Sequence, residues 1–175
     1  LGIKTIKSEP QYYKKTYKNL EQILNSLGYQ LMGYYRLGRA ILVFESNILL
    51  FPESSNVYDS LAEGYMNNRD YNLAIKYYKK SLELNPDDNI ALTNTGVALV
   101  TLGKHEEALE VFNKTLEINP ENDFELTHKG YALVNLGKYE EALEVFNIII
   151  EITPDNDFAL TIHGDALVNL GKYEE

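Results

Sequence analysis

The chain contains no cysteine and no tryptophan, and only two methionines, three histidines and five prolines. Without cysteine there are no disulfides, zinc ribbons or thiol nucleophiles. The three histidines, His105, His128 and His163, are far apart in sequence, so a histidine-based metal site has nothing to start from. Positive charge is also scarce: 16 Lys and Arg stand against 26 Asp and Glu, a net charge of −10, which is poor for gripping nucleic acid. No apolar run approaches the roughly 18 residues that a bilayer span needs, so the chain reads as soluble, with no membrane partner. It begins at Leu1 and shows no signal-peptide pattern. What is present is an ordinary globular balance, 45% hydrophobic and 24% charged, which argues against disorder. Tyrosine is abundant, with 14 copies against six phenylalanines.

Self-similarity is the strongest signal, at a period of 34 residues. Proline recurs at 52, 86, 120 and 154, and a small residue at Gly28, Ala62, Gly96, Gly130 and Gly164. Alanine recurs at 40, 74, 108 and 142, followed four residues on by Phe44, Tyr78, Phe112 and Phe146. The units run 21–54, 55–88, 89–122 and 123–156. Residues 157–175 form a truncated fifth unit, its first helix, and residues 1–20 an N-terminal helical extension. Each unit reads as two helices. In the third, Leu92, Thr95, Gly96 and Leu99 repeat at 3–4 spacing, Gly103 breaks the helix, and Glu106-Glu107 opens the second. That second helix carries Ala108, Leu109, Phe112, Leu116 and Ile118 and ends at Asn119-Pro120, after which Asn122-Asp123 can cap the next helix. Gly96 and Ala108 are small where paired helices approach, and Phe112 is expected to fill the gap to the neighbouring pair. A lone hairpin of this size cannot bury enough surface, so neighbours must stack.

The pattern Leu92…Gly96…Leu99…Ala108…Phe112…Pro120 resembles the tetratricopeptide repeat (TPR) over residues 21–175. The resemblance implies an all-α, right-handed α-solenoid of helix-turn-helix repeats that works as a non-catalytic scaffold. The family's aromatic residue near the start of the first helix is Tyr58 in one unit, and leucine in the others. Its second alanine in the second helix is replaced by Asn47, Ser81, Thr115 and Ile149, the last bulky for a close helix contact. Residues 24–88, with Asn56-Val57-Tyr58-Asp59-Ser60-Leu61, also resemble repeat tails of some bacterial serine hydrolases.

The halves differ in character. Residues 1–54 carry a net +3, the next three units −2, −3 and −5, and the remnant −3. Eleven of the 14 tyrosines precede residue 89. The turn glycine of the later units is Tyr35 and Arg69 in the earlier ones. Tyr13, Tyr17, Leu20, Leu24, Leu27 and Leu31 keep helical spacing, so one helix over about 10–34, or a break near 20, both fit. Lys4, Lys7, Lys14, Lys15 and Lys18 among tyrosines read as a solvated helix face rather than an RNA-binding arm.

The family architecture implies that first helices line a concave wall. Beside their core stripe lie Asn25, Tyr29 and Met32, then Asp59, Glu63 and Met66, then Thr93, Val97 and Val100. The stripe continues as Phe124, Thr127, Tyr131 and Val134 with Asn135 beside it, and as Phe158, Thr161, Asp165 and Val168. This stripe suits an extended peptide or a partner helix held by apolar contacts and amide hydrogen bonds. It does not suit the acidic chaperone tails that some family members clamp, because it offers no lysine or arginine and Asp59 and Glu63 would repel a carboxylate.

No phosphate loop, nucleophile elbow or metal-ligand spacing appears, so the sequence implies no enzyme, no cofactor and no metal. The repeated Glu-Glu pairs are explained by helix N-termini. The C-terminal end is the remaining candidate. Ile148 and Ile149 with Leu160, Leu167 and Leu170 place interior-type residues where a closing helix should be polar, which suggests that either the chain continues past this end or two chains pair there as a homodimer. A second reading follows, a structural or dimerising appendage of a larger enzyme such as a hydrolase.

Overall fold

The computed structural model describes residues 10–16 and 19–171. Ten α-helices make up its regular structure: α1 (Pro10–Thr16), α2 (Leu20–Gly33), α3 (Leu37–Leu50), α4 (Ser55–Asn67), α5 (Tyr71–Leu84), α6 (Asn89–Thr101), α7 (His105–Ile118), α8 (Asp123–Asn135), α9 (Tyr139–Ile152) and α10 (Asp157–Asn169). No strand occurs among the described residues. The fold is an all-α array of helical hairpins. It separates into two compact units, residues 1–91 and 92–175, with the division inside α6.

At the N-terminus the alternative with a break is the one observed. Helix α1 stops at Thr16 and α2 starts at Leu20. Tyr13 reaches into a core with Leu20, Leu24, Val43 and Leu50, so the extension is tied to the first hairpin by burial. Lys14 rests its ammonium 5.2 Å from the Phe51 ring centroid. Lys4, Lys7, Lys18 and Tyr17 lie outside the described residues.

In α2, α6 and α8 the glycine of the first helix is explained by the aromatic residue sixteen positions later. A Cβ built on Gly96 would lie 2.6 Å from Cε1 of Phe112, one on Gly130 would lie 2.6 Å from Cζ of Phe146, and one on Gly28 would lie 2.2 Å from Cε1 of Phe44. No real Cβ fits at such distances, so the ring of the second helix lies flush on bare backbone of the first. The same rings reach the next hairpin. Phe44 also meets Gly64, with a built Cβ at 3.2 Å, and the Phe112 ring lies 6.0 Å from that of His128. Phe44, Tyr78, Phe112 and Phe146 are all fully buried. Phe44, Phe112 and Phe146 are each both the clasp of their own pair and a filler against the next.

Turns obey the same period. The N–H groups of Gly103 and Lys104 donate to the carbonyls of Val100 and Leu99, the paired bonds of a Schellman helix end, and Gly103 has φ +73°. Gly137 repeats this at φ +72°. Tyr35 and Arg69 make the same bonds with φ +57° and +63°, a left-handed conformation that costs a residue with a Cβ about 1 kcal/mol. Tyr35 is almost wholly exposed, so Tyr35→Gly loses no packing. It should stabilise the fold by about 0.5–1 kcal/mol, part of the relief being lost to glycine's freer unfolded chain. Thermal denaturation measures this, and an unchanged midpoint would show that the turn carries no strain.

Helix starts are capped where asparagine and aspartate recur. The Asp88 side chain accepts from the N–H of Ile90 and Ala91, both at 3.1 Å. Asn122 accepts from Glu125 N–H at 3.3 Å and Asn156 from Ala159 N–H at 3.0 Å. In the first two hairpins the polar residue replacing the family's second alanine pins the first helix, whereas Thr115 donates to the Phe112 carbonyl of its own helix at 3.1 Å. Asn47 donates to the Glu21 carbonyl at 3.0 Å, and the Ser81 hydroxyl donates to the Ser55 carbonyl at 3.0 Å. Ile149 holds this slot in α9 and is fully buried, so its bulk is accommodated. Ile149 is therefore a core residue and not part of a surface for self-association, which corrects the expectation from sequence.

Candidate functional site

Each compact unit presents its own first-helix face. In residues 1–91 the face is acidic and internally bonded. The Tyr29 hydroxyl lies 2.9 Å from Glu63 Oε2, to which it donates, and 3.3 Å from the Ser60 hydroxyl. Met32 and Met66 are partly buried and pack onto the cores around Phe44 and Tyr78. Asn25 is 8% exposed, its side-chain oxygen accepting from Asn47 Nδ2 at 2.9 Å, so it belongs to the interior and lines no open face. Burial lifts the Tyr29 hydroxyl well above its ordinary value, with Glu63 and Asp59 adding to this against the Ser60 hydrogen bond.

Asp59 is the unusual acid of this face. Burial, then the neighbouring Asp88 and Glu63, push its carboxyl up to about 6. Its Oδ1 has no hydrogen-bond partner. The folded chain therefore holds the Asp59 proton more tightly than the unfolded chain, for which the value is 3.8. Ionisation opposes folding. The penalty is absent below the unfolded value, grows as pH rises through the window from 3.8 to about 6, and is complete above it. Asp59→Asn should raise stability at pH 7 by about 1 kcal/mol, a figure reduced for partial exposure, and leave it unchanged at pH 3.5. Urea unfolding at the two pH values measures the difference.

In residues 92–171 the face is mainly aromatic and aliphatic, with the exposed Asp165 as the acid of its stripe. Val97, Val100, Tyr131 and Val134 are half-buried, and Asn135 is exposed. Phe124 and Phe158, in the same slot one repeat apart, are 50% and 51% exposed. His128 lies against Phe124 with ring centroids 4.3 Å apart and its Nδ1 2.8 Å from the Phe124 carbonyl. Tyr131 stands 6.2 Å from Phe158. The threonine row is largely spent on its own helices: Thr127 donates to the Asp123 carbonyl at 2.6 Å and Thr161 to Asp157 at 2.8 Å. Thr127 is buried, which removes it from the open face, whereas Thr93 is half-buried and donates to Glu125. Asn135 donates to the Tyr131 carbonyl at 2.8 Å.

Glu125 is a feature that the spacing argument did not single out. It is 3% exposed, one carboxylate oxygen accepts from Thr93, and the other has no hydrogen-bond partner. The 34-residue register carried the signal, because the same slot holds Val57, Ala91 and Ala159, all fully buried. At the C-terminal end Ile148 and Leu160 are exposed, and Leu167 and Leu170 half-buried.

Two family profiles, both described as tetratricopeptide repeat, match residues 60–123 and 126–156. The chain belongs to the tetratricopeptide-repeat family. The TPR fold is shared with solved structures of low sequence identity. The structure of MamA residues 41 to the end from Desulfovibrio magneticus RS-1 has a TM-score of 0.85 at 15% identity, covering 89% of this chain and 88% of that one. The structure of YrrB, described as a TPR protein with an unusual peptide-binding site, has a TM-score of 0.80 at 20% identity, covering 94% and 85%. No curated protein sequence matches significantly.

TPR geometry also places the residues that carry charge or metal affinity. Lys104–Glu107 and Lys138–Glu141 are exposed i,i+3 pairs at 3.3 and 3.6 Å, one repeat apart, each worth a few tenths of a kcal/mol. Glu106, Glu107, Glu140 and Glu141 all lie in first helical turns. Among the described residues no group of three His, Asp or Glu side chains is arranged to hold a metal ion. Among them, too, no helix is long and apolar enough to cross a membrane.

Proposed function

We propose that this TPR chain is a non-catalytic interaction scaffold that holds an extended or helical peptide on the first-helix face of residues 92–171. The observation that carries the reading is the pair Phe124 and Phe158, half-exposed in one slot of successive repeats and flanked by Tyr131, Val97, Val100 and Val134. Exposed aromatic side chains beside half-buried aliphatics are the composition of interface hot spots. Asn135 uses one amide proton on its own helix and keeps a second, with its carbonyl, for a peptide backbone. The YrrB description gives a precedent for peptide binding on this fold. Asp59 and Glu63 on the other unit's face disfavour acidic peptides there.

The test is direct titration. A peptide selected against the full chain from a random library should lose at least about tenfold in affinity, by calorimetry, when Tyr131→Ala or Val97→Asp is introduced. Unchanged affinity in both folded variants would place the binding surface elsewhere and overturn the reading.

A further inference from the structure

Among the described residues Glu125 is the only charged side chain that is buried. A carboxylate offers about four lone-pair positions to hydrogen-bond donors, and that of Glu125 receives one donor, the Thr93 hydroxyl. Its Oε2 has no hydrogen-bond partner. Lys129 lies one turn on in α8, at i+4, yet no ion pair forms between them. The repeat has no need of an acid at this slot, because Val57, Ala91 and Ala159 fill it elsewhere and are buried without charge. A carboxylate placed there carries a desolvation cost that one hydroxyl donor does not offset. An anion kept from water, oriented by one donor and lacking a counter-ion, is arranged to receive a cation.

The Thr93–Glu125 contact also lies where a bound peptide would pass. Thr93 is half-buried on the α6 stripe, four residues before Val97, so the carboxylate meets the first-helix face at this point. Phe124, the sequence neighbour of Glu125, is 50% exposed. Such a ring can take the aliphatic stem of a lysine or arginine and attract its charge. The surroundings favour the same sign. Residues 92–171 hold 14 Asp and Glu against four Lys and Arg, and the stripe of Thr93, Val97, Val100, Tyr131 and Val134 carries no cation of its own.

We propose that the peptide on this face presents a lysine or arginine to Glu125, and that Thr93 is a positioning residue for the carboxylate that receives it. This holds only if the first-helix face of residues 92–171 is the peptide site, and it adds the class of the occupant, a basic peptide. The carboxylate has lost most of its water before the peptide arrives, so the incoming charge meets it in a poorly screened site. A neutral side chain of the same shape gains nothing there.

Peptides selected from a random library against the full chain test this by calorimetry. Those that lose affinity with Tyr131→Ala or Val97→Asp should share one Lys or Arg. Replacing that residue by norleucine or citrulline should weaken binding to the unmodified chain at least about tenfold. On Glu125→Gln, which keeps an acceptor for Thr93 and the shape of the side chain, the same replacement should change affinity by less than about twofold. A purely structural role for Glu125 would leave the tenfold difference in place. Circular dichroism checks that each variant is folded. Peptides that bind this face without a basic residue, or whose basic residue counts equally on Glu125→Gln, overturn the proposal and leave the peptide face standing. Peptides indifferent to both Tyr131→Ala and Val97→Asp overturn the face and the proposal together. Coupling between Glu125→Gln and Lys129→Gln in urea unfolding of the free chain would give the acid an internal partner, and that also overturns the proposal.

Discussion

Phe112→Ala should lower the unfolding free energy by about 3–5 kcal/mol, a large loss for a single truncation. The ring is fully buried, lies against the bare backbone of Gly96 and reaches His128 of the next hairpin, so its removal opens a cavity at two contacts together. The reciprocal change is informative because its sign depends on position. Gly96→Ala gains about 1 kcal/mol of helix propensity but drives a methyl group into the ring, an overpacking cost of about 1–3 kcal/mol. The net should be destabilising. Gly164→Ala, in the same slot of α10 with nothing within 4 Å, should stabilise by about 1 kcal/mol. Combining Gly96→Ala with Phe112→Leu should cost less than the sum of the two, since the second change makes room for the first. Urea unfolding followed by circular dichroism reads all four. If Gly96→Ala and Gly164→Ala shift stability in the same direction, the ring contact is not what keeps the slot small.

Glu125→Ala should stabilise the chain by about 1–2 kcal/mol. A carboxylate that is 3% exposed and bonded through only one oxygen carries a desolvation cost that Thr93 only partly offsets. Its position in the first turn of α8 returns a few tenths of a kcal/mol from the helix dipole. Alanine is already the residue at this slot in α6 and α10, so the backbone accepts it without rearrangement. Thr93→Val is the contrasting change. It removes the one hydrogen-bond donor to a buried carboxylate and should destabilise by about 1–3 kcal/mol. Loss of stability in Glu125→Ala would mean that the acid is a structural asset and that its environment is better satisfied than its contacts indicate.

Much of the fold was legible because the chain states it several times. The glycine–aromatic pairs, the capping residues 88, 122 and 156 and the turn residues 35, 69, 103 and 137 each repeat one local solution, and repetition separates it from chance. The break between α1 and α2 was ambiguous because Tyr13, Leu20 and Leu24 keep helical spacing across it while all three are buried in one core. The interaction face was only partly legible. Spacing assigns a residue to a side of a helix, but how far that side is covered depends on neighbouring helices. Asn25, Asp59, Thr93, Thr127 and Thr161 share one slot, yet Asn25 and Thr127 are buried, Asp59 and Thr93 half-buried, and Thr161 exposed. Ile149 stands next to the exposed Ile148 in sequence, yet the slot it fills is fully buried.

The two faces differ in what they offer a partner. The face of residues 1–91 spends its polar groups internally, through Tyr29, Ser60 and Glu63, and carries an acid that resists ionisation. The face of residues 92–175 leaves two phenylalanines half-exposed. Mapping by nuclear magnetic resonance distinguishes them directly. On addition of the selected peptide to the full chain, methyl and aromatic signals of Val97, Val100, Phe124, Tyr131, Val134 and Phe158 should shift together, while those of Val43, Ile75 and Val145 on second helices stay in place. Shifts confined to the second helices, or to the Tyr29–Glu63 face, would contradict the account.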